Sequence, residues 1–217
     1  MSSTTRRLGV DDADAYWRER KAGDRAKEGR MHRVVVGLID ERFPDGGKVL
    51  DCGVGDGHVY RLASARHRAF GVEQSPEVIA NYDFPADTVE QADLNDGIPE
   101  FNGESFDAIV ISMVLHWLDD PGGFLEVAAK RLTGRGRLYV IIPNVVNYRH
   151  RIDLLRGRFP KISLSHRNIM TPPEVEAMIR MHGLKIEQRL SSKNDFRNRC
   201  WPFLFAKDLI YVLDGGR

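Results

Sequence analysis

The chain has 217 residues, of which 42% are hydrophobic and 29% are charged, and its formal net charge is +1. These values favour one globular domain over residues 1–217 and argue against a disordered chain. No apolar run reaches the roughly 20 residues of a membrane helix, and residues 1–20 read as a flexible segment without a secretory h-region. Because the two cysteines are far apart, we expect a cytoplasmic protein without a disulfide, and no membrane span. The net charge argues neither for nor against nucleic acid. No nucleic-acid partner is expected, because the chain leaves no room for an appended RNA-binding module.

The first predicted element is an amphipathic helix, because apolar residues recur from Met31 at i, i+3, i+4, i+7 and i+8. Strands and helices then alternate as far as Ile142, which predicts an α/β fold with a parallel sheet between helical layers. Strands are predicted just before Gly53 and at 68–73, 88–92, 106–112 and 137–142. Helices are predicted after Gly57 and Pro76 and around 124–132, where Gly134 and Gly136 form the stop.

The last third of the sequence follows a different pattern. A helix is predicted over 148–155, and a second begins at Thr171, where Glu174 completes a capping box. Gly183 ends that helix. Two strands, 184–190 and 209–213, come late in the chain and are typical of an antiparallel addition to the edge of a parallel sheet.

The loop after the first strand carries the pattern D-x-G-x-G-x-G over Asp51, Gly53, Gly55 and Gly57. Glycines at this point let the backbone approach a ligand closely. The spacing is not that of a phosphate-binding P-loop, and the third glycine comes one position too early for the dinucleotide fingerprint. An acidic residue in the loop would repel a pyrophosphate, whereas it suits a cationic ligand such as S-adenosylmethionine (SAM).

Two further carboxylates follow the next two predicted strands. Glu73 ends the second strand and can accept both hydroxyls of a ribose, and Asp93 follows the third strand and can accept from an adenine amino group. Each acid alone is more often a solvated loop residue. Together with the glycine loop, the two acids indicate a nucleoside site at the carboxyl ends of parallel strands.

The motifs VLDCGVGDG, GVEQS, QADLND and FDAIVISMVLHWLDDP resemble those of class I SAM-dependent methyltransferases over about residues 30–143. The resemblance implies a three-layer sandwich with a Rossmann-like, seven-stranded, mostly parallel sheet and one antiparallel edge strand. It also implies SAM as cofactor and S-adenosylhomocysteine as product. Tyr16 and Trp17 match an aromatic that closes over SAM. The cofactor-binding residues that it implies are Asp51, Gly53, Val54, Gly55, Gly57, Glu73, Gln74, Asp93, Leu94, Ser112 and Met113.

The remainder of the chain resembles the MetW-like branch and methyltransferases of surface-polysaccharide and natural-product clusters. That resemblance implies a small-molecule acceptor, methylated at oxygen, with residues 144–183 as an insert on the acceptor side. The predicted assembly is a monomer or a homodimer, and Trp201 and Phe205 are either dimer contacts or core residues. Two alternatives stay open: methylation of RNA or protein, and a SAM-binding regulatory partner without catalysis.

Acid–base candidates lie near the expected position of the methyl group. His116 follows the fourth strand and His166 precedes the capped helix, and either could remove a proton from the acceptor. Trp117 could form a wall of the acceptor pocket and Asn144 could orient the acceptor. The plain structural alternatives are a packed or loop histidine, a core tryptophan and a turn asparagine. No metal-ligand set is apparent.

A basic segment completes the set of candidates. Between Asn147 and Asn168 the sequence has six Lys or Arg residues and one acid, Asp153. Its positive charge is either a solvated helix face or the recognition site of an anionic acceptor, such as a phosphorylated or nucleotide-linked sugar. Arg151 and Arg158 are the candidate ligands, because arginine forms bidentate contacts with phosphate.

Overall fold

The computed structural model of the protein describes residues 22–81, 84–85, 87–158, 167–193 and 195–215, and its account of side chains begins at residue 29. Within those ranges strands and helices alternate as predicted, and no helix there is both long and apolar enough to cross a bilayer. In chain order the elements are α1 (Ala22–Arg42), β1 (Lys48–Cys52), α2 (His58–Ala63), β2 (Arg68–Glu73), α3 (Pro76–Ala80), β3 (Val89–Gln91), β4 (Phe106–Ser112), α4 (Pro121–Lys130), β5 (Leu132–Pro143), α5 (Tyr148–Leu155), α6 (Pro172–Met181), β6 (Lys185–Leu190), α7 (Phe196–Cys200), α8 (Pro202–Phe205) and β7 (Asp208–Asp214).

Seven strands form one sheet in the order β3-β2-β1-β4-β5-β7-β6. Strands β1 to β5 pair in parallel, and β7 is antiparallel to both of its neighbours. The predicted seven-stranded, mostly parallel sheet with one antiparallel strand is thus confirmed. That strand lies one position inside the edge, between β5 and β6. Because the other strands are parallel, the carboxyl ends of β1, β2 and β4 meet at one edge of the sheet.

Each face of the sheet carries its own hydrophobic core, as expected of a parallel sheet covered by helices. Helices α1 and α2 pack Val35, Ile39 and Val59 against one face. Helices α4 and α6 cover the other face, where Leu125 and Ile179 are fully buried. Burial of each such side chain stabilises the fold by about 1.5–3 kcal/mol. Because the two cores hold the helices against both faces of the sheet, they also hold the strand ends in place. Helix α6, within the predicted insert 144–183, therefore belongs to the sandwich itself.

The predicted helix ends are found where their capping residues place them. The Ser75 hydroxyl accepts a hydrogen bond from the Val78 amide at 3.1 Å, and Pro76 follows as the first residue of α3. Thr171 and Glu174 form the predicted capping box of α6. Gly183 follows α6 with φ +72°, the left-handed conformation that glycine adopts at helix ends.

The start of β5 differs from the sequence prediction. Helix α4 ends at Lys130, and the strand already begins at Leu132, which pairs with Phe106 across an irregularity in register. The prediction that Gly134 and Gly136 stop a helix was therefore wrong. A Cβ on Gly136 would lie 2.7 Å from the Phe106 carbonyl oxygen, so this glycine serves close strand pairing.

Candidate functional site

The loop after β1 brings its backbone to the carboxyl edge of the sheet. The amides of Gly53 and Val54 both donate to the Val72 carbonyl, at 2.8 and 3.1 Å. Gly53 has φ +83°, and a Cβ there would lie 2.6 Å from Cγ2 of Val114. Gly55 and Gly57 also have positive φ. The loop is therefore a backbone surface that larger residues would both strain and fill.

Glu73 at the end of β2 ties this loop to the next one. Its carboxylate is buried, and its two oxygens accept from the amides of Gly55 and Ser75, each at 2.9 Å. Each bond fixes one of the two carboxylate oxygens. The two amides therefore hold Glu73 in one orientation at the end of β2.

Asp51 is the other buried acid of the loop, with only 2% of its surface exposed. Its Oδ2 accepts from the Tyr60 amide at 3.2 Å, whereas Oδ1 has no hydrogen-bond partner among the described residues. Burial raises the pKa of Asp51 well above its ordinary value; the Tyr60 amide opposes that rise and the charge of Glu73 adds to it. Such a carboxyl is suited to a cationic ligand group, which would stabilise its charged form. Cys52 beside it is buried, and burial raises the pKa of its thiol.

The loop after β3 is organised by Asp93. Its Oδ1 accepts from both the backbone amide and the side-chain amide of Asn95, at 2.9 Å each. Asn95 in turn accepts from the Asp119 amide at 2.8 Å, which connects this loop to the one after β4. Leu94 is buried beside Asp93, and Gln74 is half-buried at the end of β2. Asp93 and Leu94, the residues predicted at the adenine, thus lie together after β3, beside the end of β2.

Ser112 and Met113 end β4, and the structure adds two histidines to them. His32 of α1 is buried, and its Nε2 lies 3.1 Å from the Ser112 hydroxyl. Its ring stacks on His58, the first residue of α2, with 5.4 Å between centroids. Met113 has φ +57°, an uncommon conformation for a non-glycine residue at a strand end. Neither histidine was predicted from the sequence, although His32 precedes the buried Ile39 by seven residues, which is a helical spacing.

His116 lies in a short turn after β4, with its side chain buried against Trp117 at 5.5 Å between ring centroids. Its carbonyl accepts from the amides of Arg167 and Asn168, at 2.9 and 3.2 Å. The turn after β4 and the segment before α6 are therefore in direct contact. His166, Tyr16 and Trp17 lie outside the described residues.

The residues predicted to bind the acceptor have mixed surroundings. Asn144 is completely buried, and its side-chain amide donates to the carbonyls of Phe203 and Ala206 at 3.0 and 2.8 Å. These bonds make Asn144 a structural link between β5 and α8, and its geometry gives no support to an acceptor role. Arg151 and Arg158 are exposed; Arg151 donates to the Val146 carbonyl, and Arg158 pairs with Asp153 at 3.1 Å.

A separate depression of about 430 Å³ lies at the opposite edge of the sheet. It is lined by residues before β1 and at the starts of β4 and β5, including Asp45, Asp107 and Arg135. Asp107 is bonded there to the Lys48 amide and the Thr133 hydroxyl. Because ligands of open parallel sheets bind at the carboxyl ends of strands, the glycine loop is the better candidate site.

Comparison with known proteins agrees with this geometry. The methyltransferase-domain family matches residues 17–189, which is most of the chain. No curated protein matches the chain.

Several solved structures share the fold at low sequence identity. A putative methyltransferase from Haloferax volcanii, in complex with the Trm112 methyltransferase activator, superposes with a TM-score of 0.67 at 19% identity, over 98% of this chain and 100% of that one. A SAM-dependent methyltransferase from Clostridium acetobutylicum gives 0.62 at 11% identity, over 85% and 90%. A Burkholderia thailandensis 1,6-didemethyltoxoflavin-N1-methyltransferase with bound S-adenosylhomocysteine gives 0.63 at 15%, over 94% and 85%.

Proposed function

Since the chain belongs to the methyltransferase-domain family, we propose that it binds SAM at the glycine loop and transfers the methyl group to a small-molecule acceptor. The observation that supports this best is Glu73, whose buried carboxylate is held at the end of β2 by bonds from the amides of Gly55 and Ser75. An acid fixed in this way at the end of β2 is suited to a ribose.

The other residues at this edge fit the remaining parts of SAM. Asp93 and Leu94 would hold the adenine, and the positive-φ glycines would allow close approach of the methionyl portion. Asp51, with one buried oxygen lacking a partner among the described residues, would favour a nearby ammonium group. When bound, SAM supplies a methyl group already activated by a positively charged sulfur.

The protein's own contribution is positioning, exclusion of water and, for an oxygen or nitrogen acceptor, removal of a proton. His116 and His32 are the described candidates for the proton acceptor, because both are buried close to the end of β4. Ser112 would be held in place by His32. His166 remains a prediction from the sequence alone.

For the acceptor, we propose an anionic metabolite that is methylated at oxygen, such as a phosphorylated or nucleotide-linked sugar. The support is the positive charge of the segment that follows β5, where Arg151 and Arg158 are exposed. Arginine suits bidentate contacts with phosphate; a phosphate would compete with Asp153 for Arg158, and Arg151 is held by its bond to the Val146 carbonyl. The assembly we propose is a monomer or a homodimer.

The experiment is titration calorimetry with SAM and with S-adenosylhomocysteine. We expect the wild-type protein to bind both, and Glu73→Gln to weaken binding roughly 10- to 100-fold, because charge-assisted hydrogen bonds contribute about 1.5–3 kcal/mol. Glu104→Gln is the matched control, since Glu104 pairs with Lys48 and Arg68 at the opposite edge of the sheet. A folded wild-type protein that binds neither ligand, or equal losses in the two variants, would refute the proposal.

A second candidate is suggested by the Haloferax volcanii structure, which is a complex with a methyltransferase activator. In this alternative the chain binds SAM but transfers methyl groups only with a protein partner, or serves as a SAM-binding regulatory chain. A screen with methyl-labelled SAM and candidate metabolites separates the two. Transfer by the isolated chain supports the first proposal, and SAM binding without transfer favours the second.

A further inference from the structure

Helix α5 is unusual because none of its side chains is buried. Tyr148, Ile152 and Leu155 follow the spacing i, i+4, i+7, which places them on one face of the helix. The face leads from Tyr148, whose ring lies 5.7 Å from that of Phe205, to Leu155, which is 88% exposed. An apolar helix face that covers no core indicates an interaction surface.

The neighbouring helices α7 and α8 extend this apolar face. Trp201 lies 6.4 Å from Phe205 and 6.4 Å from Phe196, measured between ring centroids. Phe196 is 73% exposed and Trp201 56%. We call residues 148–158 and 195–205, which include α5, α7, α8 and Trp201 between the last two, the apolar–basic surface.

Positive charge surrounds these apolar side chains. Residues 147–158 and 193–207 together contain eight Lys or Arg residues and two Asp residues, in a chain whose net charge is +1. At about 100° per residue, Arg151 lies on one side of the α5 face, and Arg149 and Arg156 lie on the other. The two acids are already engaged, because Asp153 pairs with Arg158 and Asp195 caps α7.

The surface lies at the same edge of the sheet as the glycine loop. Helix α5 follows β5, and α8 ends just before β7, whose Asp208 pairs with Pro143. Asn144 joins the two connections through its bonds to the Phe203 and Ala206 carbonyls. A partner of this surface would therefore lie beside the candidate site.

We propose that the apolar–basic surface docks on an anionic lipid bilayer, with the exposed Leu, Phe and Trp side chains at the acyl boundary and the arginines at the headgroups. Aromatic residues at the interface and arginines flanking an apolar helix face are characteristic of interfacial helices. Two identical copies would bring two strongly positive surfaces together, which disfavours a homodimer here. Single-stranded nucleic acid would stack on the aromatic rings, but it would not cover the exposed aliphatic side chains of Leu154 and Leu155. The proposal goes beyond methyl transfer and does not depend on it.

The test is co-sedimentation with vesicles of phosphatidylcholine alone and of phosphatidylcholine mixed with phosphatidylglycerol. We expect binding to the anionic vesicles and a marked loss of binding at high salt, since each basic residue near such a surface contributes about 1 kcal/mol and salt screens it. Arg151→Gln with Arg156→Gln should weaken partitioning roughly 10- to 30-fold. Leu155→Ser with Trp201→Ser should weaken it about 10-fold or more.

Matched controls lie at the other edge of the sheet. Met181→Ser removes a side chain that is 83% exposed at the end of α6. Arg66→Gln with Arg135→Gln removes two exposed charges, one before β2 and one near the start of β5. Neither should change vesicle binding. Cys200 provides an independent readout, because it is exposed in the apolar–basic surface whereas Cys52 is buried. Anionic vesicles should therefore slow the reaction of the Cys200 thiol with a thiol reagent.

Three results would overturn the proposal. The first is failure of the wild-type protein to bind anionic vesicles at low salt. The second is unchanged vesicle binding by the double variant Leu155→Ser, Trp201→Ser, which would show that the binding is unspecific charge attraction. The third is a homodimer, or a complex with single-stranded RNA, that this variant abolishes. Because no vesicle measurement requires SAM, these failures are independent of a failure to bind the cofactor.

Discussion

Two regions at the same edge of the sheet are built in opposite ways. The loops after β1, β2 and β4 are buried, and their amides and carboxylates bond to each other, as Glu73 does with Gly55 and Ser75. Helices α5 and α8 bury none of their side chains. The first region is held in one arrangement by its own hydrogen bonds, and the second is an open surface. This difference agrees with the proposals above, in which the buried loops bind the cofactor and the open surface contacts an acceptor or a membrane.

The largest expected effect comes from filling the glycine loop. Gly53→Ala combines a strained φ with overlap against Val114, so we expect a loss of about 2–4 kcal/mol in the free energy of unfolding and roughly 100-fold in SAM affinity. Gly157→Ala in the open region is the matched control. Gly157 has φ +69° with no atom near its Cβ position, so only about 1–2 kcal/mol should be lost and SAM affinity kept.

Denaturant unfolding measures the free energy of unfolding of these variants, and calorimetry measures their SAM affinity. Adding Val114→Ala to Gly53→Ala should recover part of the lost stability, because it removes the contacted methyl group. If Gly53→Ala and Gly157→Ala lost equal stability and equal SAM affinity, the backbone of the loop after β1 would be no more constrained than the backbone after α5.

The fold, and the placement of several candidate residues at strand ends, could be predicted because their signals are local. The glycines, Asp51, Glu73 and Asp93 lie at the ends of short apolar runs, and parallel strands bring such ends together. The predicted starts of α3 and α6 were confirmed because capping depends on residues three apart.

The rest depends on contacts between distant parts of the chain. His32 meets Ser112 from 80 residues away, and Asn144 meets Ala206 from 62 residues away. Neither residue has a neighbour in sequence that indicates its partner. Leu132 was placed in a helix because it continues an apolar spacing, whereas its pairing with Phe106 draws it into β5.

The next prediction concerns the joint between the two regions. Asn144→Ala leaves two buried carbonyls without their donor, so we expect a loss of about 2–3 kcal/mol and a fall in Tm of about 5–10 °C. SAM affinity should be unchanged, since the Asn144 side-chain amide donates to α8 and its flanking residues and its oxygen accepts from the Val146 amide, away from the glycine loop. Asn81→Ala, at an exposed helix end, is the control. An unaltered Tm with a raised acceptor KM would restore the acceptor role predicted from the sequence.

The smallest effects separate two aspartates with opposite pKa shifts. Burial raises the pKa of Asp51, whereas the Asn198 amide lowers that of Asp195 at the start of α7. For Asp51 the charged form is disfavoured by folding, so stability is lost as pH rises from the ordinary carboxyl range through the raised pKa. For Asp195 the charged form is favoured, so stability is lost as pH falls through the lowered pKa.

Asp51→Asn should therefore be more stable than the unliganded wild type at neutral pH, by about 1–2 kcal/mol, and the difference should vanish in acid. The same variant should bind SAM about 10-fold more weakly, because a buried carboxylate that is costly alone becomes favourable beside a ligand cation. Asp195→Asn should be less stable than the wild type at neutral pH and bind SAM normally. Unfolding curves over a pH series, with calorimetry at neutral pH, measure both. If Asp51→Asn lost stability and kept its SAM affinity, the role of Asp51 would be to cap α2. The ligand preference of the loop after β1 would then come from its backbone groups alone.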